Sequence, residues 1–375
     1  MNEYLSATLN KMKSKDFTTL NIVIGNESCD LDSAVSSLVY ATFLNWNYEE
    51  SSKENDNSVF ISMLDVDRCD FPLKTEVAYC LNECGILEHN LIFRDDIDLQ
   101  ELVTTYQTNV ILVDHHVLSK RLRFLTQYVN EIIDHRPLDR TQWNYKDDVR
   151  SFIVTVGSCS TLVCQRIKEQ GAIGDKFFKT YPVCADILHN VIILDTVNFS
   201  KEVNKATPLD EDSVVYLEKI MKLENIHDER QSKLDRLLRA RSDVSSLTPS
   251  QLLRKDLKIL EDIFVPSFPI LVKEFLQKPQ ALEAVTEALT MRSCNLAVLL
   301  GMDLNEGLKR DAAVISPACP ERGEKLAKFL QEWPSPSLEL VSESEACLYF
   351  KQMNLAASRK QYMPALNDFL ITYKK

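Results

Sequence analysis

Residues 20–44 read LNIVIGNESCDLDSAVSSLVYATFL. The run LNIVIG (20–25) is apolar almost throughout and reads as a fully buried strand. From Ser33, taken as the cap, residues 33–44 place Val35, Leu38, Val39 and Thr42 on one face of a helix. Between strand and helix lie Asp30 and Asp32, with Glu27 just upstream. Carboxylates this close repel one another, at a cost that a bound cation would offset. The junction therefore asks the rest of the chain for a cation's other ligands; without them it is ordinary helix capping.

The alternation continues. VFISML (59–64), NVILVD (109–114), EIID (131–134) and VIILD (191–195) read as further strands, separated by helical patterns such as 76–84 and 160–170. Strands alternating with helices predict an α/β fold, a largely parallel sheet covered by helices on both faces. Around 220–250 the chain turns charged and polar, and reads as a linker helix followed by an exposed connection. The division is then 1–220, a linker at 221–245 and a smaller C-terminal mixed α/β domain at 246–375, with the active site expected in the interdomain cleft. In that second domain, apolar runs fall at 295–301, 311–316, 338–342 and 346–350, with helices at 321–333 and about 362–372.

Asp114, Asp134 and Asp195 each end an apolar run, and Asp30 and Asp32 follow one. In an open parallel sheet these five aspartates would meet at one edge, where such sheets bind ligands. His115, His116 and His135 stand beside them, half of the chain's six histidines. Carboxylate and imidazole without a thiolate motif suit Mn²⁺, with Mg²⁺ second. Two such ions ~3.5–4 Å apart would acidify a bridging water and neutralise a phosphoryl group. Any one of these aspartates alone reads as a turn former or cap; the set is what points to metal. His189, ahead of an apolar run, and His227, in a charged helix, read as structural or solvated.

Composition narrows the function. The chain has 375 residues, 45% hydrophobic and 26% charged, with a net charge of -12. That excess of acid argues against a nucleic-acid or membrane partner, and leaves an anionic substrate to be held by local metal, Arg and Lys. Only 8 residues are Gly, and neither a P-loop nor GxGxxG is present, which sets aside glycine-rich phosphate binding. The 10 Cys include no CxxC pair and read as reduced, largely buried, intracellular thiols. No apolar run approaches the ~18 residues that cross a bilayer. The start MNEYLSATLNKMKSKDF has Lys but no Arg, and an early Glu3, so cytoplasmic is expected over mitochondrial.

GNESCDLDS, ILVDHH, IIDHRP and ILDTVN, in that order and spacing, resemble the DHH phosphoesterase superfamily, and within it the prune-type exopolyphosphatases, relatives of family II inorganic pyrophosphatases. LLRKDLK (252–258) and SRKQYMP (358–364) resemble the DHHA2 type of second domain. The resemblance implies that Asp30 binds a first metal and Asp32 a second, that Asp114 bridges both, that Asp195 completes the second site and that His135 is a ligand. His115 and His116 would orient ligands or the attacking water. Asn26 stands where the pyrophosphatase pattern has a His, and would be a weaker ligand through its amide oxygen. Arg136 replaces the second His of the third motif; it cannot bind metal but can hold a phosphate bidentately. Lys258, Arg359 and Lys360 match phosphate-gripping positions, with Arg254 and Lys255 near enough to help, and the amides before the terminal helix could also face an anion.

The implied activity is hydrolysis of phosphoanhydride bonds in short inorganic polyphosphate, with two divalent cations, Mn²⁺ or Mg²⁺. A cyclic nucleotide such as cAMP on the same site is the close rival. A non-catalytic interaction protein on this fold would have lost metal carboxylates, whereas Asp30, Asp32, Asp114 and Asp195 are all present. A RecJ-like nuclease would need a long basic groove, which this composition does not advertise. Protein partners are not readable.

Overall fold

The opening strand, β1 (Thr19–Ile24), buries five of its six residues. In this computed structural model it joins β2 (Ser58–Leu64), β3 (Ile92–Phe93), β4 (Gln107–Val113), β5 (Val129–Asp134) and β6 (Arg150–Ile153). The order is β3-β2-β1-β4-β5-β6, and every neighbouring pair is parallel. The structure describes residues 1–51, 57–303, 307–343 and 348–373. Two compact units result, Met1–Arg241 and Ser242–Lys375.

Alternate residues of the central strands enter different cores. Leu20, Ile22, Ile24, Val110 and Leu112 pack on one face, and Val23, Ile111 and Val113 on the other. That is why these strands are apolar throughout rather than in alternation. The helices of the unit are α1 (Asn2–Ser14), α2 (Leu31–Glu50), α3 (Thr75–Glu83), α4 (Leu99–Thr105), α5 (Cys159–Lys168), α6 (Ala172–Thr180), α7 (Pro182–Asp195), α8 (Pro208–Met221) and α9 (Ile226–Ser242). Of these, α4 lies on the first face, α2, α3 and α5 to α9 on the second, and α1 contributes to both. From β1 the chain builds outward to β3 and then returns to lay β4 on the other side of β1. The carboxyl ends of β1 and β4 thus meet where the winding reverses, the usual ligand position in such sheets.

Three expectations change. Residues 191–195, read as a strand, are the last turns of α7, a helix buried on almost every side. A continuous apolar run cannot distinguish a buried strand from a buried helix; here the helix extends back to Pro182 at its start. The cap of α2 is Asp30, whose carboxylate accepts from the Ser33 amide at 3.1 Å, not Ser33 itself. The stretch 221–245, read as a linker helix followed by an exposed connection, does carry a helix, α9, but that helix puts Leu234 and Leu237 into the first unit's core instead of only bridging. Lys233 of α9 is buried against Asp186 (2.6 Å) and His189 (3.1 Å) of α7, an internal tie, whereas Asp228, Glu229, Asp235, Arg236 and Arg239 of the same helix are exposed.

The second unit contains α10 (Pro249–Lys255), β7 (Leu257–Leu260), β8 (Ile263–Phe268), α11 (Val272–Leu276), α12 (Ala281–Met291), β9 (Leu296–Asp303), β10 (Lys309–Ile315), α13 (Pro320–Glu332), β11 (Leu340–Ser342), β12 (Tyr349–Gln352) and α14 (Arg359–Thr372). Its sheet is ordered β11-β12-β10-β9-β8-β7, with only β8 and β9 parallel. Of the run expected at 346–350, Ala346 and Cys347 lie outside the described residues.

Candidate active site

Asp32, Asp114 and His135 each offer a ligand atom, and these atoms all lie within 4.8 Å of one another. Local structure explains the convergence. β4 ends at Val113, and Asp114 takes a left-handed backbone, φ 62°, which aspartate tolerates better than most side chains. Its amide still reaches the Ile133 carbonyl at 2.9 Å, tying the turn to β5. The carboxylate is 1% exposed. Its Oδ2 accepts from Asn26 Nδ2 and from the Ser33 hydroxyl, both at 2.7 Å. Its Oδ1 is buried with no hydrogen bond, although His135 Nε2 stands 3.2 Å away and Arg136 Nη2 3.8 Å.

Asp32 lies in the first turn of α2 and caps α5 from across the site. Its Oδ2 accepts from the Cys159 amide at 2.6 Å, and its Oδ1 from the Ser160 amide at 2.8 Å and hydroxyl at 2.7 Å. The helix start favours the negative charge and fixes both oxygens. Gly25 is required beside it, because a Cβ there would stand 2.8 Å from the Ser33 carbonyl oxygen. His135 follows β5, and its Nδ1 donates to the Val156 carbonyl at 3.0 Å. That bond turns Nε2 toward the carboxylates.

Charge is crowded here. Burial pushes the Asp114 carboxyl up to about 7, and repulsion from Asp32 adds to it, against the nearby His135 ring and Ser33 hydroxyl. Asp195 is driven well above the carboxylate range by burial, then by Asp32 and Asp30, with Lys205 and Ser158 opposing. Burial works to lower His135, but the neighbouring Asp114 and Asp32 carboxylates win and raise it to about 9. Asp30, Asp32, Asp114 and Asp195 therefore share one field, and a cation would relieve all four. The orphaned Asp114 oxygen, the Asp32 carboxylate and the His135 imidazole are the donor set of a hard-to-borderline divalent ion.

Other expected residues take different positions. Asn26, expected as a weak ligand, has its Oδ1 turned to the Ser28 amide (2.9 Å) and hydroxyl, while its Nδ2 donates to Asp114. It orients the central carboxylate instead of offering an oxygen. Asp134, fully buried, accepts from His116 Nδ1 at 2.5 Å and from the Arg136 amide at 3.2 Å, and so leaves the cluster. His115 donates its Nδ1 to the Val113 carbonyl at 2.9 Å, and burial pulls its pKa down. The Arg136 side chain is 51% exposed.

In the second unit, Lys258 and Lys360 are exposed, and Arg254 and Lys255 occupy the last turn of α10. Arg359 is not a free arm: its guanidinium donates to the Asp256 carbonyl at 2.7 Å and carboxylate at 2.5 Å. The first amides of α14 are already engaged by its own capping box of Ser358 and Gln361, which corrects the expected anion-facing turn.

Sequence reasoning passed over Asp65, buried just past β2 and paired with Arg94 at 2.9 Å. The signal was present, since DVD follows VFISML as DLD follows LNIVIG. It also passed over Cys159 and Ser160, which hold Asp32 through backbone amides that no side-chain pattern reveals.

A DHH family N-terminal domain model matches residues 21–203, and a DHHA2 domain model matches 235–369. The chain is 34% identical over 370 residues to exopolyphosphatase PRUNE1 of Mus musculus, covering 96% of this chain and 77% of the mouse protein. It is 26% identical over 381 residues to a protein of Schizosaccharomyces pombe named putative exopolyphosphatase, covering 96% of this chain and 93% of that one. A manganese-dependent inorganic pyrophosphatase of Methanocaldococcus jannaschii is 25% identical over 242 residues, 64% of this chain and 66% of its own length.

Proposed function

Starting from a chain that belongs to the prune-type exopolyphosphatases with DHH and DHHA2 domains, and so is a metal-dependent polyphosphate phosphohydrolase, we propose that it removes terminal phosphate from short chains with two divalent ions held at the carboxylate cluster. The observation that carries this reading is the buried Asp114 oxygen without a hydrogen bond, set among Asp32 and His135. Asp32, Asp114 and His135 would hold one ion, with Asp195, whose strongest charged neighbour is Asp32, completing that site; Asp30 would serve the other together with Asp114. When bound, divalent cations supply Lewis acidity and a water deprotonated near neutral pH.

The chain's own residues do the rest. Asn26 and Ser33 hold Asp114 by one oxygen and leave the other to metal. The Cys159 and Ser160 amides hold Asp32. Val156 fixes the His135 tautomer that presents Nε2. Arg136, half-exposed beside Asp114, takes the charge that develops on the transferred phosphoryl group. In the second unit the exposed Lys258 and Lys360 are the candidate substrate lysines, with Arg254 and Lys255 supporting, and Arg359 would have to leave Asp256 to join them. Mn²⁺ is the preferred ion, given imidazole among the donors, and the protein acts in the cytoplasm on a small anionic substrate.

The test is a turnover panel with purified protein: pyrophosphate, tripolyphosphate, tetraphosphate and cAMP, each with Mg²⁺ and with Mn²⁺. Phosphate release from tripolyphosphate that exceeds release from pyrophosphate, with cAMP slower than both, is the expected result. Turnover of cAMP alone would move the chain to phosphodiester chemistry.

A further inference from the structure

His116 is buried at 6% exposure, and neither ring nitrogen is left for substrate. Its Nε2 accepts the backbone N–H of Asp139 at 3.1 Å, which puts the ring proton on Nδ1, facing Asp134 at 2.5 Å. Asp134 in turn accepts the Arg136 amide at 3.2 Å. The Tyr145 hydroxyl donates to the His116 carbonyl at 2.9 Å. A single residue beside Asp114 therefore binds the segment that follows β5 near its start and, through Tyr145, further along. That segment has little regular structure of its own, only one short turn of helix at Arg140–Gln142. It carries Arg136, whose side chain is half-exposed and 3.8 Å from Asp114 Oδ1.

We propose that His116 is a positioning residue, a latch that holds the 136–145 segment so that Arg136 stays beside the metal carboxylates, and that it exchanges no proton with substrate. The proposal rests on the polyphosphatase reading only for the role of Arg136; the latch itself is a statement about the segment. Its geometry permits a clean separation. The latch uses the Asp139 backbone N–H, whereas the Asp139 carboxylate accepts, among the described residues, from Thr141 and Gln142. The backbone of Asp139, φ −89°, is near the range proline adopts. Asp139→Pro therefore deletes the N–H that His116 accepts, leaves the imidazole in place and falls at a part-buried rather than a core position. Asp139→Ala deletes the side chain and keeps the N–H.

Four variants are compared with wild type: D139A, D139P, R136A and D139P/R136A. Each is assayed for kcat and KM on tripolyphosphate with Mn²⁺, and the two single Asp139 variants by amide hydrogen exchange over residues 136–145. Loss of this one part-buried hydrogen bond lowers kcat/KM in D139P about tenfold relative to D139A. The segment exchanges faster in D139P than in D139A. In the R136A background the proline has no further effect, because the latch acts through Arg136. D139P matching D139A in kinetics and exchange overturns the proposal, as expected if His116 were itself the acid or base. So does a D139P loss that persists undiminished with R136A. Absence of polyphosphate turnover in wild type would sink the functional reading instead, and the exchange comparison would still decide the latch.

Discussion

The two sheets of this chain use their charged residues in opposite ways. In the first unit every strand pair is parallel, so all carboxyl ends share one edge, and Asp30, Asp32 and Asp114 follow strands that lie side by side. The second sheet is largely antiparallel, and its strand ends alternate between edges. Its acids are satisfied in place. Asp311, 2% exposed, accepts from the Val272 and Lys273 amides at 2.8 and 3.1 Å and from Tyr349 at 3.0 Å. Asp262 is bound by Arg322, and Asp256 by Arg359. Burial raises both Asp114 and Asp311, yet only Asp114 keeps an oxygen without a hydrogen bond. A buried acid with amide donors is part of the scaffold; a buried acid among other acids needs a cation.

Three measurements break or sharpen that contrast. The largest effect is expected from Asp114→Ala, which removes the carboxylate proposed to serve both metal positions. Mn²⁺-dependent tripolyphosphate hydrolysis should fall by more than about 10³-fold, with an unchanged circular dichroism spectrum. Wild-type turnover in that variant would remove the first sheet's edge from the chemistry.

The next effect is a pH dependence. The His135 proton, held to about 9 in the folded state against 6.5 for the ordinary side chain, stabilises the metal-free protein below pH 6.5. That stabilisation is lost as pH rises through about 9. A metal on Nε2 must displace this proton, so Mn²⁺ affinity by titration calorimetry should rise about tenfold per pH unit from pH 7 to 9. Asp114, held up to about 7, adds a second displaced proton below that value. An affinity flat across the range would take His135 out of the ligand set.

The smallest effect concerns the second sheet. Arg359→Ala should raise KM for tripolyphosphate roughly tenfold with kcat little changed, if the residue grips phosphate. It also frees Asp256, so a lower melting temperature is expected from the same variant. A lower melting temperature with an unchanged KM would make Arg359 a strut between α14 and the start of β7, and nothing more.

Much of the site was legible because its chemistry sits at element ends. Acids after apolar runs at Asp30, Asp32 and Asp114 need no tertiary information to be noticed, and His135 follows the same rule after EIID. Asp195 was expected at the site for a mistaken structural reason, since its apolar run is helix rather than strand. The pattern could not tell these apart, because full burial erases periodicity in both. Asn26 and His116 were legible as residues but not as roles. Whether an amide offers oxygen or nitrogen, and which partners an imidazole satisfies, depends on neighbours up to 88 positions away. The Cys159 and Ser160 contacts to Asp32 are backbone contacts and leave no compositional trace.

By itself, then, the order of residues determined the alternation of buried strands and helices, the family, and the set of side chains that could bind metal. Those properties follow from local polarity and spacing, which a linear chain carries in full. Only the folded arrangement decided that Asp134 turns away to His116, that Asn26 gives its amide hydrogens to Asp114, and that Arg359 is tied to Asp256. Each is a choice among hydrogen-bond partners distant along the chain, and that competition is settled by packing rather than by pattern.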